Sequence, residues 1–334
     1  MKKFVLCLSV LSSLFICTLT NNIHAEEGMS IEDVVISETN KPVTFSYDLN
    51  QRLSEVKNRL DSYIIQNFKI TPDKYSPDYL SVLNKISLDA NVLNTTEEEK
   101  AAFSALATIY VGRISSLIHD NMSESEKNDI NEIEDNLLNR TFLEIRNENI
   151  RLIKDIADAK KKTRRKRSVS NFHEPSATAY ALKYALSVNP RYGSFSILNI
   201  GPGDCTNFAS QIMEAGGMEQ TYFPNSSGLN WYFANYFARS KSWAWAHGFM
   251  QYWTAEGART TSFTSTSSAI PHIRKGNFIG YWDKSLFEFS HMAYVNNVSN
   301  GKVYICQHTD DRKNALWNNI SWGGFNSITV LSVG

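Results

Sequence analysis

A charge boundary constrains this chain more than any other feature. Lys160-Lys161-Lys162-Thr163-Arg164-Arg165-Lys166-Arg167 carries seven bases and no acid. Residues 26–159 before it hold 25 acids against 14 bases, and residues 168–334 after it hold 9 acids against 11 bases. The formal net charge of zero conceals this asymmetry. All seven tryptophans lie from Trp231 onward. A dense run of like charge is a solvated linker, so two different objects are joined here, as 334 residues allow. The expected organisation is a helical domain over 26–159, a basic linker over 160–170 and a second domain over 171–334. With 42% hydrophobic and 20% charged residues, the chain is neither disordered nor a coiled-coil rod. Its zero net charge argues against a globally basic nucleic-acid binder, so no nucleic-acid partner is expected.

Residues 1–25 read as a secretory signal peptide. Lys2 and Lys3 precede the apolar stretch Phe4 to Leu19, and Ile23-His24-Ala25 ends on a small residue suited to cleavage. The expected location is therefore outside the cell, in the medium or on the cell wall. Cleavage would leave Cys205 and Cys306, which could pair in an oxidising compartment. No later stretch has the apolar length of a membrane-spanning helix, so no transmembrane segment is expected.

Helical spacing dominates the acidic half. Leu53, Val56, Leu60, Ile64 and Phe68 mark a helix over 50–67, and a shorter one covers 78–88. A third starts at Thr95 or Thr96 with Glu98 and Glu99 in its first turn. A fourth is expected to run unbroken from Ser123 to about Lys160. The half has no cysteine after Ala25 and no metal-ligand spacing, so it reads as a scaffold or binding module. Beyond Gly201 the chain becomes rich in Gly, Trp, Ser and Asn. The best strands are 278–282, 292–298, 302–307 and 328–333, with Asn300-Gly301 as a strong hairpin signal. The fold class is thus α+β, an all-α domain followed by a helix-on-antiparallel-sheet domain. The aromatic run from Trp231 to Trp253 reads mostly as core, with a minority available to line a groove.

Chemistry concentrates at Asp204-Cys205-Thr206-Asn207-Phe208, which opens a helix closed by Gly216-Gly217. A thiol in a first helical turn feels unpaired N–H groups and the positive end of the helix dipole, which favour the nucleophilic thiolate. Such a cysteine needs a base. His291 starts a strand, and pairing 291–298 with 301–308 puts it almost opposite His308. A polar neighbour there could hold the imidazole in the correct tautomer. His308 is the best placed, Gln307 faces the other side by alternation, and Asp310 or Asp311 lies just past the strand. Cys306 reads as a packed strand residue, with a Cys205–Cys306 disulfide as the rival explanation. The histidines show no His-x-x-x-His spacing and the cysteines no Cys-x-x-Cys, so neither a metal nor a cofactor is expected.

These blocks carry a resemblance. Residues 172–316 resemble the putative amidase domain family of Gram-positive bacteria, a branch of the papain-like cysteine hydrolases related to the NlpC/P60 and CHAP groups. The matching pieces are Asn189-Pro190-Arg191-Tyr192, Asp204-Cys205-Thr206-Asn207-Phe208-Ala209-Ser210-Gln211, Lys275-Gly276-Asn277-Phe278, Ser290-His291-Met292-Ala293-Tyr294-Val295 and Gln307-His308-Thr309-Asp310. Related domains usually carry Gly-Asp where this chain has Gly276-Asn277. The helical half lies outside the family's shared region. The resemblance implies a papain-like fold in which Cys205 attacks an amide carbonyl and His291 moves the proton. His308, or Asp310 in its place, orients His291. The Cys205 N–H, with Asn199 as a second donor, would bind the oxyanion.

Three functions fit these features. The first is a secreted cysteine amidase or peptidase acting on a peptide or peptidoglycan-type amide. The second is a secreted protease held latent until the basic linker is cut. The third is a non-catalytic surface-binding protein. The 160–167 strip could also contact an anionic cell-wall polymer.

Overall fold

The computed structural model describes residues 46–118, 122–162, 168–194, 204–224, 228–234, 239–283, 286–317 and 327–333. The expected signal peptide, Asn199, Gly201 to Gly203 and residues 163–167 of the basic strip lie outside the described residues. No described helix is long and apolar enough to cross a membrane.

Mixed helix and antiparallel sheet make up the described residues. Five longer helices come first: α1 (Leu53–Phe68), α2 (Pro77–Leu88), α3 (Glu97–Arg113), α4 (Glu124–Leu138) and α5 (Phe142–Lys162). Leu53, Val56, Leu60 and Ile64 form the buried stripe of α1. In α3, Thr96 caps the Glu99 N–H and three glutamates occupy the first turn, where the helix dipole favours them. Every residue of α3 from Ala102 to Val111 is buried, so α3 is enclosed on all sides.

The long helix expected from Ser123 to Lys160 is two helices. Asn139 closes α4, and Thr141 with Glu144 forms a capping box that starts α5. Residues Thr141-x-x-Glu144 had written that restart into the sequence. Helix α5 runs on to Lys162, into the expected linker.

Helices α6 (Glu174–Tyr184) and α7 (Asp204–Ala215) follow, then the short α8 (Lys241–Ala244) and α9 (Ala246–Ala255). The sheet contains β1 (Arg259–Phe263), β2 (Phe278–Asp283), β3 (Glu288–Ser299), β4 (Lys302–Gln307), β5 (Arg312–Leu316) and β6 (Ser327–Ser332). Their order is β1-β6-β2-β3-β4-β5, with every neighbouring pair antiparallel. Phe278, Met292, Tyr294 and Cys306 face α6, α7 and α9 with Cys205, Phe208 and Ile212. Ile279, Tyr281, Ala293, Val295 and Ile305 form the core on the other face. Trp231, Trp243 and Trp253 are fully buried, as aromatic core.

Strand register decides what the site looks like. Asn300 and Gly301 both take positive φ, the turn that a two-residue hairpin needs. The ladder starts at Ser299↔Lys302, and a bulge then inserts Asn296 before Val295↔Ile305 and Tyr294↔Cys306. Continuing that register brings Met292, not His291, opposite His308. A one-residue slip exchanges the two faces of a strand. His291 therefore shares a face with Tyr281, its partner on β2, and with Gln307.

Candidate active site

Asp204 begins α7 as a first-turn residue. Its carboxylate accepts the Asn207 side-chain amide at 2.8 Å and meets His308 Nδ1 at 2.5 Å. His308 Nε2 lies 2.8 Å from the Tyr184 carbonyl, which can only accept, so this nitrogen carries hydrogen. Phe208 stacks flat on the imidazole with centroids 3.9 Å apart. His308 thus ties the end of α6 to the start of α7 and the end of β4. Burial disfavours its charged form, but the Asp204 carboxylate and the Tyr184 carbonyl outweigh it, and its pKa is raised. A pocket of about 90 Å³ borders this pair, with Thr309 and Asp311 on its wall.

Cys205 follows Asp204 and is 4% exposed. Burial pushes its thiol pKa up and the Asp204 carboxylate adds to this, against the Thr206 hydroxyl and the Met292 and Thr206 backbone N–H groups. The thiolate expected from the helix dipole is therefore not the resting form: loss of solvent and an adjacent acid outweigh the helix terminus. Cys205 and Cys306 are both free and buried. Cys306 Sγ donates to Asn296 Oδ1, the bulge residue, at 3.5 Å.

The Met292 N–H that reaches Cys205 belongs to the peptide immediately after His291. The His291 ring sits 5.2 Å from the Tyr281 ring and is buried. Burial lowers its pKa to about 4, with Gln307 and Asp310 working the other way. The ring is neutral near pH 7. Its Nε2 is buried with no hydrogen-bond partner among the described residues. Asp310 turns outward, where its Oδ2 accepts Arg312 Nε at 2.9 Å. Of the expected set, the fold thus joins His308 to the Cys205 helix through Asp204, and places His291 beside the cysteine's strand contact. Asn277 follows Gly276, where the sequence departs from the resemblance. It still accepts the Arg274 N–H at 2.7 Å, and its amide donates to Ser332 at 3.3 Å, which an ionised acid could not do.

Sequence reading missed a buried ionic cluster three residues upstream of His291. Glu288 is fully buried and accepts Trp245 Nε1 at 3.0 Å and Asn149 Nδ2 at 3.1 Å. Arg113 Nη2 lies 3.6 Å from the same carboxylate and donates to Asn149 Oδ1 at 3.0 Å. Asn149 also donates to the Leu286 carbonyl at 2.9 Å. Leu286 packs in the core of the N-terminal helices, while Ile150 and Ile153 of α5 pack in the core beside the sheet. Burial raises the Glu288 pKa, and Arg113, Asn149 and Trp245 oppose that. No local pattern could reveal these partners, since they come from α3, α5 and α8–α9.

Residues 171–331 match the family model described as Putative amidase domain. Over 155 residues the chain is 30% identical to the uncharacterized protein YjcM of Bacillus subtilis (strain 168), covering 44% of this chain and 33% of that protein. The chain thus spans about a third of that relative's length. No solved structure matches. The matched segment contains Cys205, His291 and His308, and the match points to hydrolysis of an amide bond.

Proposed function

We propose that the C-terminal half is a cysteine hydrolase that cleaves an amide C–N bond, with Cys205 as nucleophile and His291 as base. One observation carries this reading. The buried thiol of α7 receives the peptide N–H next to His291, and the His291 Nε2 has no partner among the described residues. A raised thiol and a lowered imidazole make a neutral resting pair. The His291 ring lies on the sheet face away from the helices, so it has to turn past the Met292 peptide to meet the sulfur in the opened conformation; there the proton moves from sulfur to His291 Nε2 as sulfur attacks the carbonyl carbon. The imidazolium then protonates the departing amine, which leaves a thioester on Cys205. Water, deprotonated by His291, releases the acid and restores the thiol. The Cys205 N–H is the proposed oxyanion donor, with Asn199 as its second. His308 holds the helix start in place through Asp204.

The proposed setting is outside the cell, with a peptide or peptidoglycan-type amide as substrate and a papain-like arrangement as fold. Contact of the basic run with an anionic wall polymer belongs to the same reading. The depth of Cys205 favours latency, because a substrate carbonyl has to reach a sulfur that this conformation covers. The deciding experiment incubates the mature protein with peptide amides and peptidoglycan fragments and looks for an acyl adduct by intact-mass spectrometry. An adduct on Cys205 that is absent in Cys205→Ala supports the reading. Hydrolysis that persists in Cys205→Ala refutes it. Trypsin treatment beside it tests latency: turnover should rise when the basic run is cut, and unchanged turnover removes latency.

A further inference from the structure

Strand β3 carries an extra residue immediately before His291. Tyr281 pairs with His291 and Trp282 with Phe289, so Ser290 has no opposite number on β2. Such bulges re-aim side chains and gather next to active sites. Phe289 and Met292 both pack on the helix side of the sheet, in the core that holds Cys205. His291 faces the other way with Tyr281, so alternation turns Ser290 back to the helix side. The backbone is held on both flanks of this step. The Phe289 N–H donates to His247 Nδ1 at 3.3 Å, and the Met292 N–H reaches Cys205. Ser290 and His291 are the two residues between those ties. Both carry a buried polar atom with no partner among the described residues, Ser290 Oγ and His291 Nε2. Gln307 Oε1, on the His291 face, is a third. Buried polar atoms seldom stay unmatched, and a group of them at a bulge calls for a shared explanation.

We propose that this bulge is a two-position switch: it steps from Ser290 to His291, exchanges the two side chains across the sheet and so turns His291 to the side of Cys205. This rests on the reading of His291 as base. In the second position Ser290 pairs with Tyr281, and His291 becomes the extra residue beside Met292. Residues up to Phe289 and from Met292 onward keep their partners and their faces. A slip of the whole strand would instead turn Met292 and Tyr294 out of one core and Ala293 and Val295 out of the other. The exchange also matches the orphan atoms. The Ser290 hydroxyl arrives on the face of Gln307, whose Oε1 accepts, and His291 Nε2 arrives on the face of the thiol, which donates. An imidazole needs more room than the hydroxymethyl group it displaces, so the step belongs with the opening that uncovers Cys205. Latency then has a cause within the sheet, because the base is stored on the face away from the nucleophile.

The test is a cross-link in the full mature chain, made in Cys306→Ala so that Cys205 is its remaining native thiol. His291→Cys adds a thiol at the switch, and diamide takes up the two hydrogens as a disulfide forms. Thiols whose Cβ atoms point apart cannot be bridged without backbone movement. The expected result is loss of both free thiols and a disulfide between positions 205 and 291 in the peptide map. Deletion of Ser290 removes the extra residue and leaves continuous alternation that keeps position 291 on the face away from the helices. The cross-link should then be lost, and with native His291 and Cys306 the same deletion should abolish turnover while the far-ultraviolet circular dichroism is kept. No disulfide in His291→Cys overturns the proposal, as does one that forms equally well without Ser290. If the deletion does not fold, the His291→Cys cross-link decides by itself. Turnover that survives the deletion but is lost in His291→Ala leaves the base in place and removes the switch. Turnover that survives His291→Ala removes the base, and the cross-link still decides whether the bulge moves.

Discussion

Two buried histidines sit on opposite faces of the same sheet, and they differ in what their nitrogens meet. His308, on the helix-facing side, has a carboxylate at one nitrogen and a carbonyl at the other, with an aromatic ring flat against it. His291, on the other side, keeps Nε2 without a partner among the described residues. One environment raises the pKa and the other lowers it to about 4. Burial alone therefore does not mark a histidine for chemistry. A ring held between a carboxylate and a carbonyl is a tie, and a ring with one nitrogen that meets no partner among the described residues has a site left open.

The sharpest way to break this comparison is to remove each ring in turn. His291→Ala should lower kcat by roughly 10²–10⁴-fold, with a loss of stability limited to the cavity that the ring leaves. His308→Ala should reverse the pattern, costing about 3–5 kcal/mol in chemical denaturation because Asp204 is left buried without its counter-charge. If both variants lose stability equally and activity equally, the two rings are not different in kind. Acidity offers a gentler probe. The His308 contribution is complete below the unfolded histidine value near 6.5 and is lost as pH rises through its raised folded value. His291 acts oppositely: stability is lost as pH falls from about 6.5 toward about 4, where the unfolded chain binds a proton that the folded ring resists. Denaturation midpoints across pH in His308→Gln and His291→Gln should each erase one limb. Thiol labelling sharpens the pair further. Iodoacetamide should modify Cys205 slowly at pH 7 and faster in the alkaline range, with Cys306→Ala making no difference. Rapid labelling below neutrality would contradict a neutral Cys205–His291 pair. The smallest effect belongs to Asp310→Asn, which should lower the His291 pKa slightly and change turnover by no more than about threefold, since Asp310 is half-exposed and screened.

Much of the fold was legible in the residues themselves. The stripe of α1, the Thr96 cap, the helix at Cys205 and the Asn300-Gly301 turn all follow from local chemistry that the structure repeats. What escaped has identifiable physical causes. Residues Arg259–Phe263 and Arg312–Leu316 are strands at the two edges of the sheet, where polar and charged side chains blur the hydrophobic alternation. The facing of His291 turned on one extra residue, Asn296, in a strand that reads as continuous. Counting from the hairpin cannot find a bulge, and a single miscount exchanges Gln307 with His308 as the neighbour on its face. The thiol's protonation was misjudged because a helix terminus is a local property, whereas burial depends on the whole molecule.

The grip of Arg113 and Asn149 on Glu288 reaches beyond the site. The segment that matches the amidase family has its histidine strand anchored by side chains from outside that segment. Excised alone, it would leave the Glu288 carboxylate with Trp245 as its remaining partner of the three and Leu286 stripped of its packing. The boundary of resemblance and the boundary of cooperativity then fall in different places. Heating the whole chain should give a single calorimetric transition in which the helices and the sheet melt together, and the N-terminal helices would be as much a part of the folding unit as the cysteine helix itself.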